Sequence, residues 1–207
     1  DDALVNIDNK IIMLDFYADW WGACSMLDAQ TFTDKNVVEI SNEKLIPIKI
    51  DTDSEYGMEL FQKYNGHALP LILFINKDNN EIDRFYGYLP PYEFIIKIEN
   101  ALNNINSLSD YLEKYNRGNH GAELIKLLAD KYSDKGEYDK AIALFNELLI
   151  SSNQSKNDNE YAKYAIATLE LKKHNTKAIK EYLKKNMESS FYKTAINDYT
   201  SYLNRNA

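Results

Sequence analysis

The chain has a single cysteine, Cys24, among its 207 residues. One thiol excludes an intramolecular disulfide and any metal site built from several cysteines. Glycine, proline and histidine are scarce as well, with 7, 4 and 3 residues. The three histidines, at positions 67, 120 and 174, lie too far apart in sequence to form a local metal-binding motif. We therefore expect neither a metal nor a cofactor in this chain.

A basic surface is also missing from the overall composition. Lysine and arginine total 24 residues against 32 aspartates and glutamates, which gives a formal net charge of −8. A nucleic-acid backbone needs a basic face, so we expect no nucleic-acid partner. No apolar run approaches the roughly 20 residues of a membrane span, so we expect none. The printed N-terminus has no basic segment followed by an apolar one, so we expect no signal peptide within it.

A strand followed by a tight turn stands out near the start of the chain. Hydrophobic residues make up 44% of the sequence, which predicts a packed core and one large or two small domains. Ile11 to Tyr17 is apolar except for Asp15, which indicates a buried strand. Asp19 to Gly22 then reads as a turn, and Cys24 to Ala29 as the first turns of a helix.

The next hundred residues alternate between helical and strand patterns. Thr33 or Asp34 is expected to cap a second helix, with Val37, Val38 and Ile40 at its apolar positions. The further predicted elements are a strand at 45–50, a helix at 55–64, a strand at 71–75, a hairpin turn at 77–80, a strand at 81–86 and a helix from Pro90 or Pro91 to about residue 104. Residues 1–9 are predicted to be the end of a helix. The order is therefore β-α-α-β-α-β-β-α after that segment.

Four short motifs in this order resemble the thioredoxin superfamily. They are Leu14-Asp15-Phe16-Tyr17-Ala18-Asp19-Trp20 before the turn, Ile50-Asp51-Thr52-Asp53, His67-Ala68-Leu69-Pro70, and Tyr86-Gly87-Tyr88-Leu89-Pro90. The resemblance covers roughly residues 5–104 and is strongest to thioredoxin-like proteins of the bacterial cell envelope, such as the soluble domain of thiol–disulfide interchange proteins. It implies an α/β fold in which a central mixed β-sheet is flanked by helices. The first strand of that fold is missing from the predicted order.

The resemblance also implies a role for each residue of the turn. The family motif is Trp-Cys-Gly-x-Cys, whereas this chain has Trp20-Trp21-Gly22-Ala23-Cys24. Cys24 is then the second cysteine, and Trp21 takes the place of the first, which is the attacking nucleophile. Since tryptophan cannot ionise or attack, dithiol–disulfide turnover is not expected. By the same resemblance Asp15 is the buried carboxylate that assists the second cysteine. The groove consists of Trp20, Gly22, Ala23, Leu69 and Pro70, with Pro70 in the cis form.

Several of these assignments have a plainer alternative. Asp15 is either that assisting carboxylate or an aspartate that hydrogen-bonds local backbone and ends the apolar face of the strand. Pro70 is either a cis proline facing the turn or a trans proline that opens a strand. Cys24 is either chemically active or a small buried apolar residue. Trp21 is either native or a substitution, since one base separates a cysteine codon from a tryptophan codon.

Strand signals stop after residue 104, and the chain becomes helical. Domains are predicted at residues 1–104 and 105–207. Helical-hairpin packing that resembles a tetratricopeptide repeat is indicated by Leu128-Ala129-x-x-Tyr132, Gly136-x-Tyr138-x-x-Ala141 and Phe145. A looser second copy spans residues 161–185, and residues 190–203 are expected to form a closing helix. The second domain is thus predicted to be all-α, with its many tyrosines either packing between helices or lining a ligand groove.

Three functions remain open at this point. The first is a thioredoxin-family protein of thiol–disulfide exchange that lacks dithiol turnover in this form. The second is a non-catalytic, chaperone-like module that binds a protein partner through the Trp21/Pro70 groove and the helical domain. The third is a thiol protein that uses Cys24 alone, in a mixed disulfide with a partner or with glutathione. The family resemblance implies the cell envelope or periplasm if a signal peptide was removed, and the cytoplasm otherwise.

Overall fold

The computed structural model describes residues 10–151 and 155–206. The helix end predicted for residues 1–9 lies outside the described residues. The chain divides into two compact units, with the break between Asp110 and Tyr111. The first unit combines a sheet with helices. The described residues of the second unit form helices and no strands.

Four strands form the sheet of the first unit. They are β1 (Ile11–Tyr17), β2 (Leu45–Asp51), β3 (Leu71–Ile75) and β4 (Glu81–Tyr86). Their spatial order is β2-β1-β3-β4. β1 runs parallel to β2 and antiparallel to β3, and β4 pairs antiparallel with β3. The sheet is therefore mixed, as the sequence predicted.

Burial on both faces explains why β3 is a continuous apolar run. All five of its residues are buried, and alternate side chains enter two different clusters. Ile72 and Phe74 pack on the side of α2 (Lys35–Lys44) and α4 (Pro91–Asn103). The other three residues of the strand pack on the side of α3 (Glu55–Lys63). The helices therefore cover both faces of the sheet, which is the predicted thioredoxin-like architecture.

The helix after the turn differs from its prediction. α1 (Gly22–Met26) begins two residues before Cys24 and continues directly into a π-helical turn at Leu27–Thr31. Asp34, rather than Thr33, caps α2 by accepting hydrogen bonds from the backbone N–H groups of Asn36 and Val37. Within α2, Val37 is buried but Val38 is 42% exposed, so the predicted apolar side of this helix was too wide.

Six helices make up the rest of the described chain. They are α5 (Leu108–Asn116), α6 (Ala122–Asp134), α7 (Tyr138–Ile150), α8 (Lys156–Lys172), α9 (Thr176–Lys185) and α10 (Tyr192–Arg205). The predicted all-helical character of this part is thereby confirmed, whereas its likeness to a tetratricopeptide repeat stays a prediction. Aromatic rings pack between these helices: Tyr164 stacks on Phe191 at 5.3 Å, and Tyr161 meets Phe145 edge-on at 5.7 Å.

Candidate functional site

The turn from Ala18 to Cys24 is held by backbone hydrogen bonds. The Trp21 N–H donates to the Ala18 carbonyl at 3.1 Å, and the Trp21 carbonyl accepts from Cys24 N–H at 2.9 Å and from Ser25 N–H at 3.2 Å. Trp21 itself has an extended backbone and occupies the N-cap of α1. In a dithiol enzyme a cysteine at such a helix terminus gains thiolate stability from the helix dipole and the free N–H groups. Trp21 has no group that can use this position.

Cys24 lies on the buried side of α1. Its side chain is nearly inaccessible, at 3% exposure. Burial raises the pKa of the Cys24 thiol, a hydrogen bond with the Ala18 backbone opposes that shift, and the Asp15 and Asp28 carboxylates raise it further. The sulfur is therefore both protonated at neutral pH and shielded from solvent.

Asp15 is a carboxylate in the interior of the sheet. Its exposure is 2%, and its Oδ1 atom has no hydrogen-bond partner among the described residues. Burial raises the pKa of Asp15 to about 6, although the ammonium of Lys49 opposes the shift. The Lys49 Nζ lies 3.7 Å from Asp15 Oδ2 and 2.5 Å from Asp28 Oδ1. Lys49 thus connects the buried carboxylate to a half-exposed one on the π-helical turn.

The two tryptophans form the exposed side of the turn. Trp20 is 69% exposed and Trp21 is 45% exposed, and their rings meet edge-on at 5.7 Å. The Trp20 indole N–H donates to Asp53, with Nε1 2.9 Å from Oδ2 and 3.2 Å from Oδ1. Gly22 beside them is open, since a Cβ added there would meet nothing within 4 Å. This side presents aromatic surface rather than a reactive group.

The Leu69–Pro70 peptide bond is cis, which is the form that the resemblance implied. Pro70 is buried, and its carbonyl accepts a hydrogen bond from Gly87 N–H at 2.9 Å. The next residue, Leu71, pairs with Phe16 in β1. Since the Trp20–Trp21 turn follows the end of β1, Pro70 and this turn lie at the same end of the sheet. Leu69 is half-buried, as is Ala23.

Lys49 and Asp53 are site residues that sequence reasoning missed. Lys49 pairs in register with Asp15 across β1 and β2, a long-range relation. The available signal was a lysine inside the apolar strand pattern Leu-Ile-Pro-Ile-Lys-Ile. In the part of the chain that the structure describes, no group of histidine, cysteine and carboxylate side chains is arranged to hold a metal ion. None of the described helices is both long and apolar enough to cross a membrane.

Comparison with known proteins shows which family the first hundred residues match. A family model described as a thioredoxin-like domain matches residues 2–102. The thiol:disulfide interchange protein DsbD of Haemophilus influenzae (strain PittGG) is 34% identical over 105 residues, which cover 49% of this chain and 18% of the relative. DsbD of Yersinia pestis (strain Pestoides F) is 32% identical over 102 residues, covering 48% of this chain and 17% of the relative. The chain thus spans less than a fifth of the length of these curated relatives.

Solved structures with a similar fold are also found. A thioredoxin from Thermus thermophilus is 21% identical with a TM-score of 0.42, covering 47% of this chain and 77% of that one. The DsbD C-terminal domain of Neisseria meningitidis in the reduced form is 23% identical with a TM-score of 0.40, covering 45% of this chain and 82% of that one. The family is shown by the sequence match of residues 2–102, and the mixed sheet described above agrees with it. The N-terminal half of this chain therefore belongs to the thioredoxin superfamily, as a thioredoxin-like domain related to thiol:disulfide interchange proteins.

Proposed function

We propose that this chain binds a protein partner through the Trp21/Pro70 groove and does not catalyse dithiol–disulfide turnover. The observation that carries this proposal is Trp21 at the N-cap of α1, half-exposed, with Cys24 buried behind it. Turnover needs a thiolate that attacks a substrate disulfide and a second thiol that resolves the mixed disulfide. Only the second of these is present in the sequence.

Retention of the groove supports the binding half of the proposal. The cis Pro70 and the turn after β1 occupy one end of the sheet, although the nucleophile is absent. In the family the backbone beside this proline pairs with an extended substrate segment, which is a form of strand addition. Exposed aromatic side chains such as Trp20 and Trp21 contribute large binding energies at protein interfaces.

The one-cysteine alternative is less well supported. A reactive cysteine is solvent-accessible and has a lowered pKa. Cys24 is buried, and burial raises the pKa of its thiol. Mixed-disulfide formation at Cys24 would therefore require the turn to open first.

Insulin reduction by dithiothreitol tests the catalytic half. The natural chain should give the same rate as a control without protein, because it has no attacking thiol. Trp21→Cys should accelerate the reaction well above that control, since it places a thiol at the helix N-cap. Trp20→Cys is the matched control: it adds a thiol one residue earlier, off the helix terminus, and should give little acceleration. Turnover by the natural chain would contradict the proposal.

Disulfide trapping tests the binding half. Trp21→Cys combined with Cys24→Ser has an attacking thiol at the groove and no resolving thiol, so mixed disulfides with bound partners accumulate. The same partners should be absent from Trp20→Cys combined with Cys24→Ser. If both variants trap the same set of proteins, or neither traps any, the groove is not the binding site.

A further inference from the structure

Charge is distributed very unevenly between the two units. Residues 1–110 contain 19 acidic and 8 basic residues, whereas residues 111–207 contain 13 acidic and 16 basic ones. Within residues 172–193 there are seven lysines but only two acidic residues, Glu181 and Glu188. The expectation from overall composition that the chain has no basic face is therefore wrong for this segment, because the acidic first unit dominates the net charge.

The lysines of α9 lie together on its outer face. Ile179 is fully buried and Tyr182 is 5% exposed, and both pack in the core of the helical unit. At 3.6 residues per turn, the lysines fall within an arc of roughly 140° on the opposite side of the helix. They are Lys177, Lys180, Lys184 and Lys185, here called the α9 lysine face, and all four are exposed.

This face is not explained by ion pairs within the unit. Among the described residues, none of its four lysines lies in a salt bridge, whereas nearby Lys173 contacts Asp139 at 2.5 Å and Glu170 at 3.4 Å. Glu181, the one acidic residue of α9, falls inside the same arc and is exposed, so four lysines and one glutamate give the face a net charge of +3.

Helix stability does not explain the face either. Lysines in the last turn, such as Lys184 and Lys185, interact favourably with the helix dipole. Lys177, however, lies in the first turn, where the positive end of the dipole disfavours a cation. Lys180 Nζ lies over the Tyr199 ring at 5.9 Å, but none of the four lysines has an acidic partner among the described residues. Four lysines that repel each other without such a partner indicate an external anionic partner.

We propose that the α9 lysine face binds an anionic membrane surface peripherally. All four lysines are exposed on one side of the helix, so their charges are available to an anionic surface. It contains lysine and no arginine, which suits diffuse attraction to many headgroups rather than bidentate recognition of one phosphate. Met187, two residues beyond α9, is 69% exposed and offers an apolar side chain to the headgroup region.

Vesicle sedimentation tests this inference with the full chain. Phosphatidylcholine vesicles containing phosphatidylserine should co-sediment the protein, and vesicles of phosphatidylcholine alone should not. Raising the salt concentration from 0.15 M to 1 M should release the protein, because the Debye length falls from about 8 Å to about 3 Å. Each Lys→Gln substitution on the face should lower the partition coefficient roughly fivefold, as expected for about 1 kcal/mol per lysine.

A matched control variant separates the effect of the α9 lysine face on binding from the effect of the net charge. Lys177→Gln/Lys180→Gln/Lys184→Gln/Lys185→Gln should abolish binding. Lys35→Gln/Lys44→Gln/Lys63→Gln/Lys77→Gln changes the net charge equally on the first unit and should leave binding unchanged. Equal loss in both variants would overturn the inference, as would no sedimentation with either vesicle.

Competition by two other anions distinguishes a membrane from the other classes of anionic partner. Poly-glutamate and duplex DNA, each at the same anionic-group concentration, should compete weakly with vesicles. If either binds more tightly than the vesicles do, the face serves an acidic protein or a nucleic acid, and the membrane inference fails. Met187→Ser gives a finer check: it should weaken vesicle binding and leave binding to poly-glutamate unchanged.

Discussion

The two sides of the turn after β1 differ in burial and in the groups that they present. The buried side contains Asp15, Cys24 and Lys49, and Lys49 Nζ lies 3.7 Å from Asp15 Oδ2. The exposed side presents Trp21, and Gly22 with open space around it. Under the proposed function, one side chain on the exposed side, Trp21, accounts for the absence of dithiol turnover.

This difference shows which constraints act on each side. The buried side is fixed by packing and by desolvated charge, so substitutions there change the stability of the whole unit. The exposed side makes few contacts, so substitutions there change binding and access to Cys24. The following predictions test this division.

The largest difference in stability is expected between alanine substitutions at two glycines, Gly57 and Gly22. A Cβ on Gly57 would lie 1.9 Å from the Asp51 carbonyl oxygen, so Gly57→Ala must displace the turn between β2 and α3. We expect it to lower the free energy of unfolding by about 3 kcal/mol or more, in line with overpacked backbone contacts. Gly22→Ala should change that free energy by less than about 0.5 kcal/mol. Urea denaturation of both variants measures this. A loss in Gly22→Ala as large as that in Gly57→Ala would show that the exposed side of the turn is packed as tightly as the interior.

Asp15→Asn should stabilise the protein at neutral pH. Burial raises the pKa of Asp15 to about 6 from an ordinary value of 3.8. Between these values the native state holds a proton that the unfolded chain has released, so stability falls as pH rises and is lowest above pH 6. The difference between the two pKa values corresponds to about 3 kcal/mol, and it already includes the opposing attraction to Lys49. We therefore expect a gain of up to about 3 kcal/mol at pH 7.

The pH dependence provides the control for Asp15→Asn. The variant should lose part of the decline in stability that the natural chain shows between pH 4 and pH 6, as measured by urea titrations across this range. The part due to Asp130 should remain, because burial raises the pKa of that carboxyl to about 6 as well. Asp19→Asn, in the exposed part of the same turn, should keep that decline. A decline as steep in Asp15→Asn as in the natural chain would show that Asp15 does not contribute to it.

The sequence predicted the scaffold well because its signals are local. β3 is an uninterrupted apolar run between Pro70 and Asn76, and its bounds match the predicted ones. β1 and β4 likewise have the predicted bounds. The start of α1 at Gly22 was not predicted, and neither was the π-helical turn, because a change in hydrogen-bond register leaves the apolar spacing nearly unchanged.

The site was predictable only in part. The motif gave Asp15, Cys24 and Pro70 their positions through family resemblance. Lys49 could not be placed beside Asp15 without knowing that β1 and β2 are parallel and in which register they pair. Asp53 likewise reaches Trp20 only once β2 lies next to β1. Which strands pair, and in which register, depends on residues far apart in the chain, and local sequence patterns do not reveal it.

Cys24 should react slowly in the native state. A neutral thiol reagent at pH 7 should label it at least ~100-fold more slowly than in denaturant, which corresponds to an opening free energy of about 2.7 kcal/mol. Burial, the raised pKa of the thiol and the neighbouring carboxylates all act in this direction. Trp21→Ala should accelerate native labelling roughly tenfold by exposing the turn. Native labelling at the rate of a free cysteine would favour the one-cysteine function.

The smallest effect is expected for the bond between Trp20 and Asp53. Trp20 is 69% exposed, so the hydrogen bond from its indole N–H to the Asp53 carboxylate should contribute only about 0.5–1 kcal/mol to stability.

The larger role of this hydrogen bond is to restrain the indole at the edge of the groove. In a Trp21→Phe background, where Trp20 is the only tryptophan, Asp53→Ala should lower the fluorescence anisotropy of Trp20 with little change in unfolding free energy. Glu59→Ala, on the exposed part of α3, should leave the anisotropy unchanged. If Asp53→Ala also leaves it unchanged, packing rather than this hydrogen bond orients Trp20, and the exposed side is more rigid than its few contacts indicate.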